Sequence, residues 1–131
     1  SDYSRIMLSD DEDEIVQKIR KAKTDPFPLP SNMGEAEKRP EALNLLTIFA
    51  ALSETKTDVV VDQYAGKEFA MFKKDLADLT SAKITPIAVE MEKLMNDATY
   101  LDSIMKMGKE KAIGIAEPVL DQVHDLVGFS R

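Results

Sequence analysis

The sequence contains no cysteine and no tryptophan, and only 6% of its residues are aromatic. The lack of cysteine excludes disulfide bonds and thiolate metal sites, and it is compatible with a reducing compartment. The hydrophobic 44% of the chain comes mainly from Leu, Ile, Val, Ala and seven Met residues. This mixture favours packed helices over a β-sandwich.

Long apolar runs are also missing. No run approaches the roughly 20 residues that a helix needs to cross a bilayer, and no secretory signal is visible. We therefore expect a cytoplasmic protein that does not bind membranes. Its length of 131 residues suits a single domain. The sequence begins with Ser1, inside a polar stretch and without Met, and we interpret this as a fragment boundary.

Apolar residues recur at helical spacing along most of the chain. A first helix is predicted to be capped by Ser9, with Glu12 completing a capping box, and to stop before Pro26. A proline-rich loop over residues 26–34 follows. Four more helices are predicted, at residues 40–53, at 57–64 with Thr57 as the cap, at 67–94, and from a cap at Asn96 or Asp97 to a stop at Gly128.

No segment reads as a strand, so the sequence predicts an all-α fold. The expected architecture is a helical bundle with two long helices, which Pro86 and Pro118 should kink. A short extended segment over residues 1–8 would lead into the bundle.

The formal net charge of −7 counts against autonomous nucleic-acid binding, since free-standing binders are usually basic. The positive charge is nevertheless clustered. Lys18, Arg20, Lys21 and Lys23 directly follow the acidic run at residues 10–14. Such a cluster could contact phosphates, but cations are also what a helix C-terminus prefers.

Sequence patterns for catalysis or metal binding are weak. The acidic run lacks the glycine and ligand spacing of an EF-hand loop. Asp121 and His124 have the spacing of a carboxylate-bridged metal motif, but His124 is the only histidine and such sites need several motifs. Gly66-Lys67 lacks the rest of a P-loop. We expect no catalytic residue, metal site or cofactor site in this chain.

Several motifs in fixed order resemble the segment that follows the KMSKS loop of bacterial and mitochondrial tryptophan–tRNA ligases. They are Ser4-Arg5-Ile6-x-Leu8-x-Asp10-Asp11, Ile15-x-x-Lys18-Ile19-Arg20-Lys21-Ala22-x-Thr24-Asp25, Arg39-Pro40-Glu41-Ala42-x-Asn44-Leu45-Leu46, Tyr64-x-Gly66-Lys67-x-Phe69-x-x-Phe72-Lys73-x-x-Leu76-Ala77, Gly108-x-x-Lys111-Ala112-x-x-Ile115-Ala116 and Val127-Gly128-Phe129. The resemblance covers essentially the whole chain, and the order of the motifs is what makes it specific.

The resemblance implies a division of the chain and a role for each part. Residues 1–8 would follow the KMSKS loop of a missing catalytic domain, with Ser1 as the last residue of that motif. Residues 9–131 would form the helical anticodon-binding domain. The parent enzyme would be a homodimer that attaches tryptophan to tRNA(Trp) with ATP and Mg, forming AMP. The fragment alone would be inactive, since the lysines that stabilise the ATP phosphates precede Ser1.

Matched basic residues are the candidates for RNA contact, namely Lys18, Arg20, Lys21, Lys67 and Lys73. The expected partners are tRNA(Trp) and the chain's own catalytic domain, with no role for DNA. Asn44, a matched polar residue in an apolar helix, is expected to hydrogen-bond a neighbouring segment.

Two alternatives remain beside this interpretation. One is an acidic helical protein-interaction module with no RNA role, which the net charge favours. The other is a metal-dependent enzyme built on the last helix around His124.

Overall fold

A computed structural model describes residues 2–129 of the protein, except for the side chain of Asp2. Within that range every regular element is helical, so the predicted all-α class is confirmed. The elements are α1 (Glu12–Lys21), α2 (Met33–Ala36), α3 (Pro40–Leu52), α4 (Thr57–Tyr64), α5 (Phe69–Met95) and α6 (Ala98–Val127). The predicted role of Ser1 falls outside the described residues.

The segment before α1 is less extended than predicted. Residues Asp2–Ser4 form one turn of 3₁₀-helix. Here the Lys21 ammonium donates a hydrogen bond to the Tyr3 hydroxyl at 2.9 Å and lies 4.1 Å from the centre of its ring. The beginning of the chain is thus held beside the end of α1.

The cap of α1 lies two residues later than predicted. Asp11, not Ser9, accepts a hydrogen bond from the backbone N–H of Glu14 at 2.8 Å. The Glu14 side chain accepts one from the backbone N–H of Asp11 at 3.2 Å, which completes the capping box. Several residues between 9 and 13 can cap a helix, so composition alone did not fix the boundary.

The proline-rich segment holds a helix that the sequence did not predict. Asn32 caps α2 by accepting a hydrogen bond from the backbone N–H of Glu35 at 3.0 Å. The prediction that Pro40 opens the next helix is confirmed, since Pro40 is the first residue of α3. Four residues are too few to show a helical period, and for that reason α2 left no pattern in the sequence.

The α4–α5 connection follows the sequence closely, with one correction. Thr57, the predicted cap of α4, is its first helical residue, and Lys56 occupies the capping position. Gly66 lies beyond the helix end with φ of +69°, in the left-handed region that glycine adopts at least cost.

Helices α1 to α4 and the first half of α5 surround one hydrophobic core. Three rings meet at its centre, with centroids 5.3 Å apart for Phe49 and Tyr64, and 4.8 Å apart for Tyr64 and Phe72. Around them lie the fully buried side chains Ile15, Leu29, Leu46, Val60, Val61 and Leu76. Residues three or four apart on each helix thus supply the core, as the periodicity predicts.

The chain divides into two compact units, with the boundary after Met91. The second unit consists mainly of α6, and none of the residues of α6 is buried. Both α5 and α6 continue past their prolines, Pro86 and Pro118. The kinks themselves stay a prediction. No helix within the described range is long and apolar enough to cross a membrane.

Candidate RNA-binding surface

Lys18, the first of the five candidate residues, lies largely within the fold. Its ammonium forms an ion pair with Asp10, and the two side chains are 13% and 7% exposed. Asp10 also accepts a hydrogen bond from the backbone N–H of Met7 at 2.8 Å. The hydrogen bond from Lys18 lowers the pKa of the Asp10 carboxyl below its ordinary value. The pair therefore joins α1 to the segment that precedes it.

Lys73 extends from α5 to the end of α1. Its ammonium donates hydrogen bonds to the carbonyl oxygens of Ala22, at 2.6 Å, and Arg20, at 3.2 Å. These carbonyls belong to the last turn of α1, where orphan acceptors and the negative end of the helix dipole favour a cation. Burial lowers the pKa of Lys73. Lys73 therefore links α5 to the end of α1, and we call these two hydrogen bonds the Lys73 clamp.

The other three candidates lie on the surface. Arg20 and Lys21 are exposed residues of the last turn of α1. Lys67 is exposed between α4 and α5, and its ammonium lies 5.0 Å from the ring centre of Tyr64. Lys23, also in the basic cluster, forms an exposed ion pair with Glu41 at 3.1 Å. Arg20, Lys21 and Lys67 are therefore placed where a phosphate could reach them.

Arg39 is a charged residue whose structural role the sequence did not reveal. Its guanidinium donates to both carboxylate oxygens of Asp25, at 2.6 and 2.9 Å, and pairs with Glu35 at 3.3 Å. The hydrogen bonds from Arg39 lower the pKa of Asp25. This bidentate pair fixes the proline-rich segment against the start of α3. Asp25 and Arg39 are 14 positions apart, so no short sequence motif predicts their contact.

An open cleft of about 610 Å³ lies beside the basic end of α1. Its walls are largely apolar, and Lys21, Lys23 and Asn44 are among its polar lining residues. Asn44 is exposed, so burial does not require the hydrogen bond expected of it, and that bond stays a prediction. The apolar lining comes from Ile6, Ile19, Leu45, Ile48, Leu52, Leu76 and Ile84.

The polar side of α6 does not gather metal ligands in the described part of the chain. No group of three or more His, Cys, Asp or Glu side chains there could hold a metal ion. His124 instead stacks edge-on against Phe129, with ring centroids 6.3 Å apart. This geometry gives the metal-enzyme interpretation no support.

Comparison with known proteins bears on the whole chain. It is 48% identical to the tryptophan–tRNA ligase of Brucella melitensis over 129 residues, which are 98% of this chain and 36% of that protein. It is 46% identical to the enzyme of the same name from Agrobacterium fabrum, over 100% of this chain and 37% of the relative. For the protein of this name from Caulobacter vibrioides the identity is 48%, over 98% and 38%.

No family model matches the chain. The chain spans just over a third of the length of the curated relatives it matches. Identity at this level along nearly every residue confirms the resemblance carried by the ordered motifs. The chain is thus homologous, over almost its whole length, to the C-terminal region of bacterial proteins named tryptophan–tRNA ligase.

Proposed function

We propose that this chain is the anticodon-side helical domain of a tryptophan–tRNA ligase. The observation that carries the proposal is the 42–48% identity over 98% of the chain with proteins of that name. The parent enzyme attaches tryptophan to tRNA(Trp) in the cytoplasm, using ATP with Mg and forming AMP. It acts as a homodimer, and its catalytic domain precedes the present chain. Residues 2–129 supply no catalytic group and support the tRNA.

The contribution of this domain is to position the RNA. Phosphate contacts fix the register of a nucleic acid, while base edges carry its sequence information. The unpaired bases of an anticodon can be splayed out and read on their edges. Helices that hold cations at fixed places on a rigid core are suited to this task.

The five basic candidates divide into two groups in this proposal. Arg20, Lys21 and Lys67 contact RNA phosphates, since they are exposed. Lys18 and Lys73 position α1, because one is paired with Asp10 and the other clamps the carbonyls of Arg20 and Ala22. Loss of Lys18 or of Lys73 would shift α1 and so move its two exposed cations, Arg20 and Lys21, together.

Because the net charge is −7, the RNA contacts only the basic part of the surface. Acidic surface elsewhere repels the phosphate backbone, so the isolated chain binds RNA weakly and its affinity falls steeply with salt. The catalytic domain supplies the rest of the affinity in the parent enzyme.

The test is the affinity of tRNA(Trp) for the full-length polypeptide over a salt series. The double variant Arg20→Gln/Lys21→Gln should weaken binding and lower the slope of log K against log salt by about 0.7–0.9 for each lost phosphate contact. The matched control is Lys38→Gln/Lys56→Gln, which removes the same charge at two exposed positions. A tRNA with an exchanged anticodon should bind more weakly than tRNA(Trp) to the unaltered protein.

Two results would contradict the proposal. The first is equal loss of affinity in both double variants, since this would reduce the effect to net charge. The second is equal binding of both tRNAs, which would show that this chain does not distinguish the anticodon.

A further inference from the structure

Lys21 differs from two other lysines of the basic cluster in the kind of group that holds its ammonium. Lys18 and Lys23 are each paired with a carboxylate, and the negative charge offsets their attraction for a phosphate. Lys21 instead donates a hydrogen bond to the uncharged hydroxyl of Tyr3, at 2.9 Å. The partner of Lys21 therefore fixes the ammonium without offsetting its charge.

The ring of Tyr3 makes a second contact with the same ammonium. The Nζ atom of Lys21 lies 4.1 Å from the ring centroid, within the range over which the face of an aromatic ring attracts a cation. The hydroxyl accepts from one of the three N–H donors that a lysine ammonium has, and Lys21 stays exposed beside the ring. The contact thus leaves the ammonium accessible to a phosphate.

The backbone of Lys21 is fixed as well. The Lys73 clamp binds the carbonyl oxygens of Arg20 and Ala22, which are the residues on either side of Lys21. A lysine has a flexible stem of four carbon atoms, and the rotamer freedom that such a side chain loses on binding weakens its contact with a ligand. Because both ends of this side chain are held beforehand, less freedom is lost when a phosphate binds.

Tyr3 belongs to a segment that is itself anchored to the bundle. Ile6 packs against the hydrophobic core, and the backbone N–H of Asp10 donates to the carbonyl oxygen of Met7 at 3.1 Å. Lys18 binds the carboxylate of Asp10. Tyr3 is 52% exposed, so burial alone does not account for an aromatic residue at this position. It is a supported ring at the surface.

We infer that Tyr3 is a positioning residue for RNA binding, which holds the ammonium of Lys21 in place for a phosphate of the tRNA. The inference rests on the proposed function, because the phosphate contact of Lys21 is taken from there. It adds a residue that acts on the RNA through the lysine. The opposite role, in which Tyr3 occupies the ammonium and competes with the phosphate, predicts an effect of opposite sign.

The experiment is a double-mutant cycle on the affinity of tRNA(Trp) for the full-length polypeptide. Tyr3→Leu removes both the hydroxyl and the ring, and it should weaken binding by about two- to five-fold, the size expected from one exposed contact between a cation and a ring. In the background of Lys21→Gln the same change should have no effect on affinity, because Tyr3 acts only through the lysine.

Two further variants sharpen the cycle. Tyr3→Phe keeps the ring and removes only the hydroxyl, so its affinity should lie between those of the wild type and Tyr3→Leu. The matched control is Tyr100→Leu, which removes a tyrosine that is 48% exposed and should leave the affinity unchanged. Circular dichroism verifies that each variant is folded.

A measurement without RNA keeps the inference apart from the proposed function. An aromatic ring shifts the NMR resonances of protons above its face to higher field. The ε-methylene protons of Lys21 should therefore resonate upfield of ordinary lysine positions in the wild type, and Tyr3→Leu should abolish this shift.

Three results would overturn the inference. The first is an equal loss of affinity from Tyr3→Leu with and without Lys21, because Tyr3 would then act on the fold as a whole. The second is tighter binding by Tyr3→Leu, which would make Tyr3 a competitor of the phosphate. The third is unchanged affinity in Tyr3→Leu while Lys21→Gln weakens binding, which would leave the proposed function standing. If Lys21→Gln binds like the wild type, the proposed phosphate contact itself fails, and a ring shift would then show that the Tyr3 contact is only structural.

Discussion

The bundle of residues 2–91 and the helix α6 use similar residues with opposite results. Helices of the bundle bury side chains such as Ile15, Leu46 and Phe72 completely. Helix α6 has an apolar face of the same kind, and not one of its residues is buried. Leu, Ile and Val side chains are thus buried in the bundle but not in α6, although both belong to one chain.

The difference teaches what periodicity can and cannot establish. A repeat of apolar residues at helical spacing identifies the face of a helix that requires cover. It carries no information about which surface supplies that cover. In the bundle the cover comes from neighbouring helices, whereas none of the residues of α6 is buried.

Replacing a large apolar side chain by alanine should give the largest difference in stability loss between the bundle and α6. Phe72→Ala in the bundle should lower the free energy of unfolding by about 3–5 kcal/mol, since it removes a fully buried ring and leaves a cavity. Ile115→Ala in α6 of the 131-residue chain should change it by less than about 0.5 kcal/mol. Urea denaturation followed by circular dichroism measures both. Similar losses in the two variants would mean that α6 is buried after all.

The buried ion pair offers the second comparison. Lys18→Met should destabilise the bundle by about 2–3 kcal/mol at pH 7, because the carboxylate of Asp10 stays buried without its cation. The exposed control in α6, Lys111→Met, should have little effect. The folded-state pKa of Asp10 lies below its ordinary value of 3.8. Its stabilisation is therefore present above about pH 4 and is lost as the pH falls through the folded-state pKa.

Denaturation of the wild type and Lys18→Met at several pH values tests this prediction. The difference between the two proteins should shrink below about pH 4. A constant difference down to pH 2 would show that the lost stability comes from the lysine's alkyl packing.

The tyrosines give a third comparison, of intermediate size. The Tyr64 hydroxyl donates to Asp75 at 2.9 Å, so Tyr64→Phe should cost about 1.5 kcal/mol. Tyr100→Phe, at a half-exposed position of α6, should cost almost nothing. Burial, aided by the hydrogen bond to Asp75, raises the pKa of Tyr64 to about 12.

This pKa predicts an alkaline effect with a definite sign. The unfolded-state value is 10.0, so the stabilisation by Tyr64 is complete below about pH 10 and is lost as the pH rises toward 12. Thermal melts between pH 8 and 11.5 should show the wild type losing its advantage over Tyr64→Phe. Parallel curves for the two proteins would contradict this.

Glycine substitutions should give the smallest effects and opposite signs. Gly66→Ala should destabilise the bundle by about 1 kcal/mol, since its φ of +69° disfavours a side chain. Gly108→Ala in α6 should instead raise the helix content by removing a helix penalty of about 1 kcal/mol, because its Cβ would meet open space. Ellipticity at 222 nm and the Tm of each variant measure the two effects. If both variants are destabilised, position 108 is already packed in the chain.

Local chemistry explains which parts of the fold could be predicted. Pro40 and Gly128 mark helix ends through fixed or permissive backbone angles, and both lie where the sequence placed them. The start of α1 was misplaced because Ser9, Asp10 and Asp11 can all cap a helix, and Ser9 was chosen where the structure uses Asp11. The carboxylate of Asp10 is bound by Lys18, a partner that propensity does not reveal.

The sequence predicted that basic residues cluster at the candidate surface, but not which of them form contacts within the fold. The basic cluster was visible as a run of charge, and the structure leaves Arg20 and Lys21 exposed. The positions of Lys18 and Lys73 could not be inferred, because their acceptors are a carboxylate 8 residues away and backbone carbonyls more than 50 residues away. Long-range contacts of this kind leave no periodic signal.

The clamp formed by Lys73 also has a consequence for the order in which the protein is made. Helix α1 has 10 residues, which is too short for stability in isolation. The carbonyls of Arg20 and Ala22 at its end are satisfied by Lys73, which follows them by 53 and 51 residues. During synthesis α1 is therefore not stable when it leaves the ribosome, and it becomes stable only after α5 has been made. A ribosome that stalls within α4 would hold a nascent chain whose first helix is still unformed.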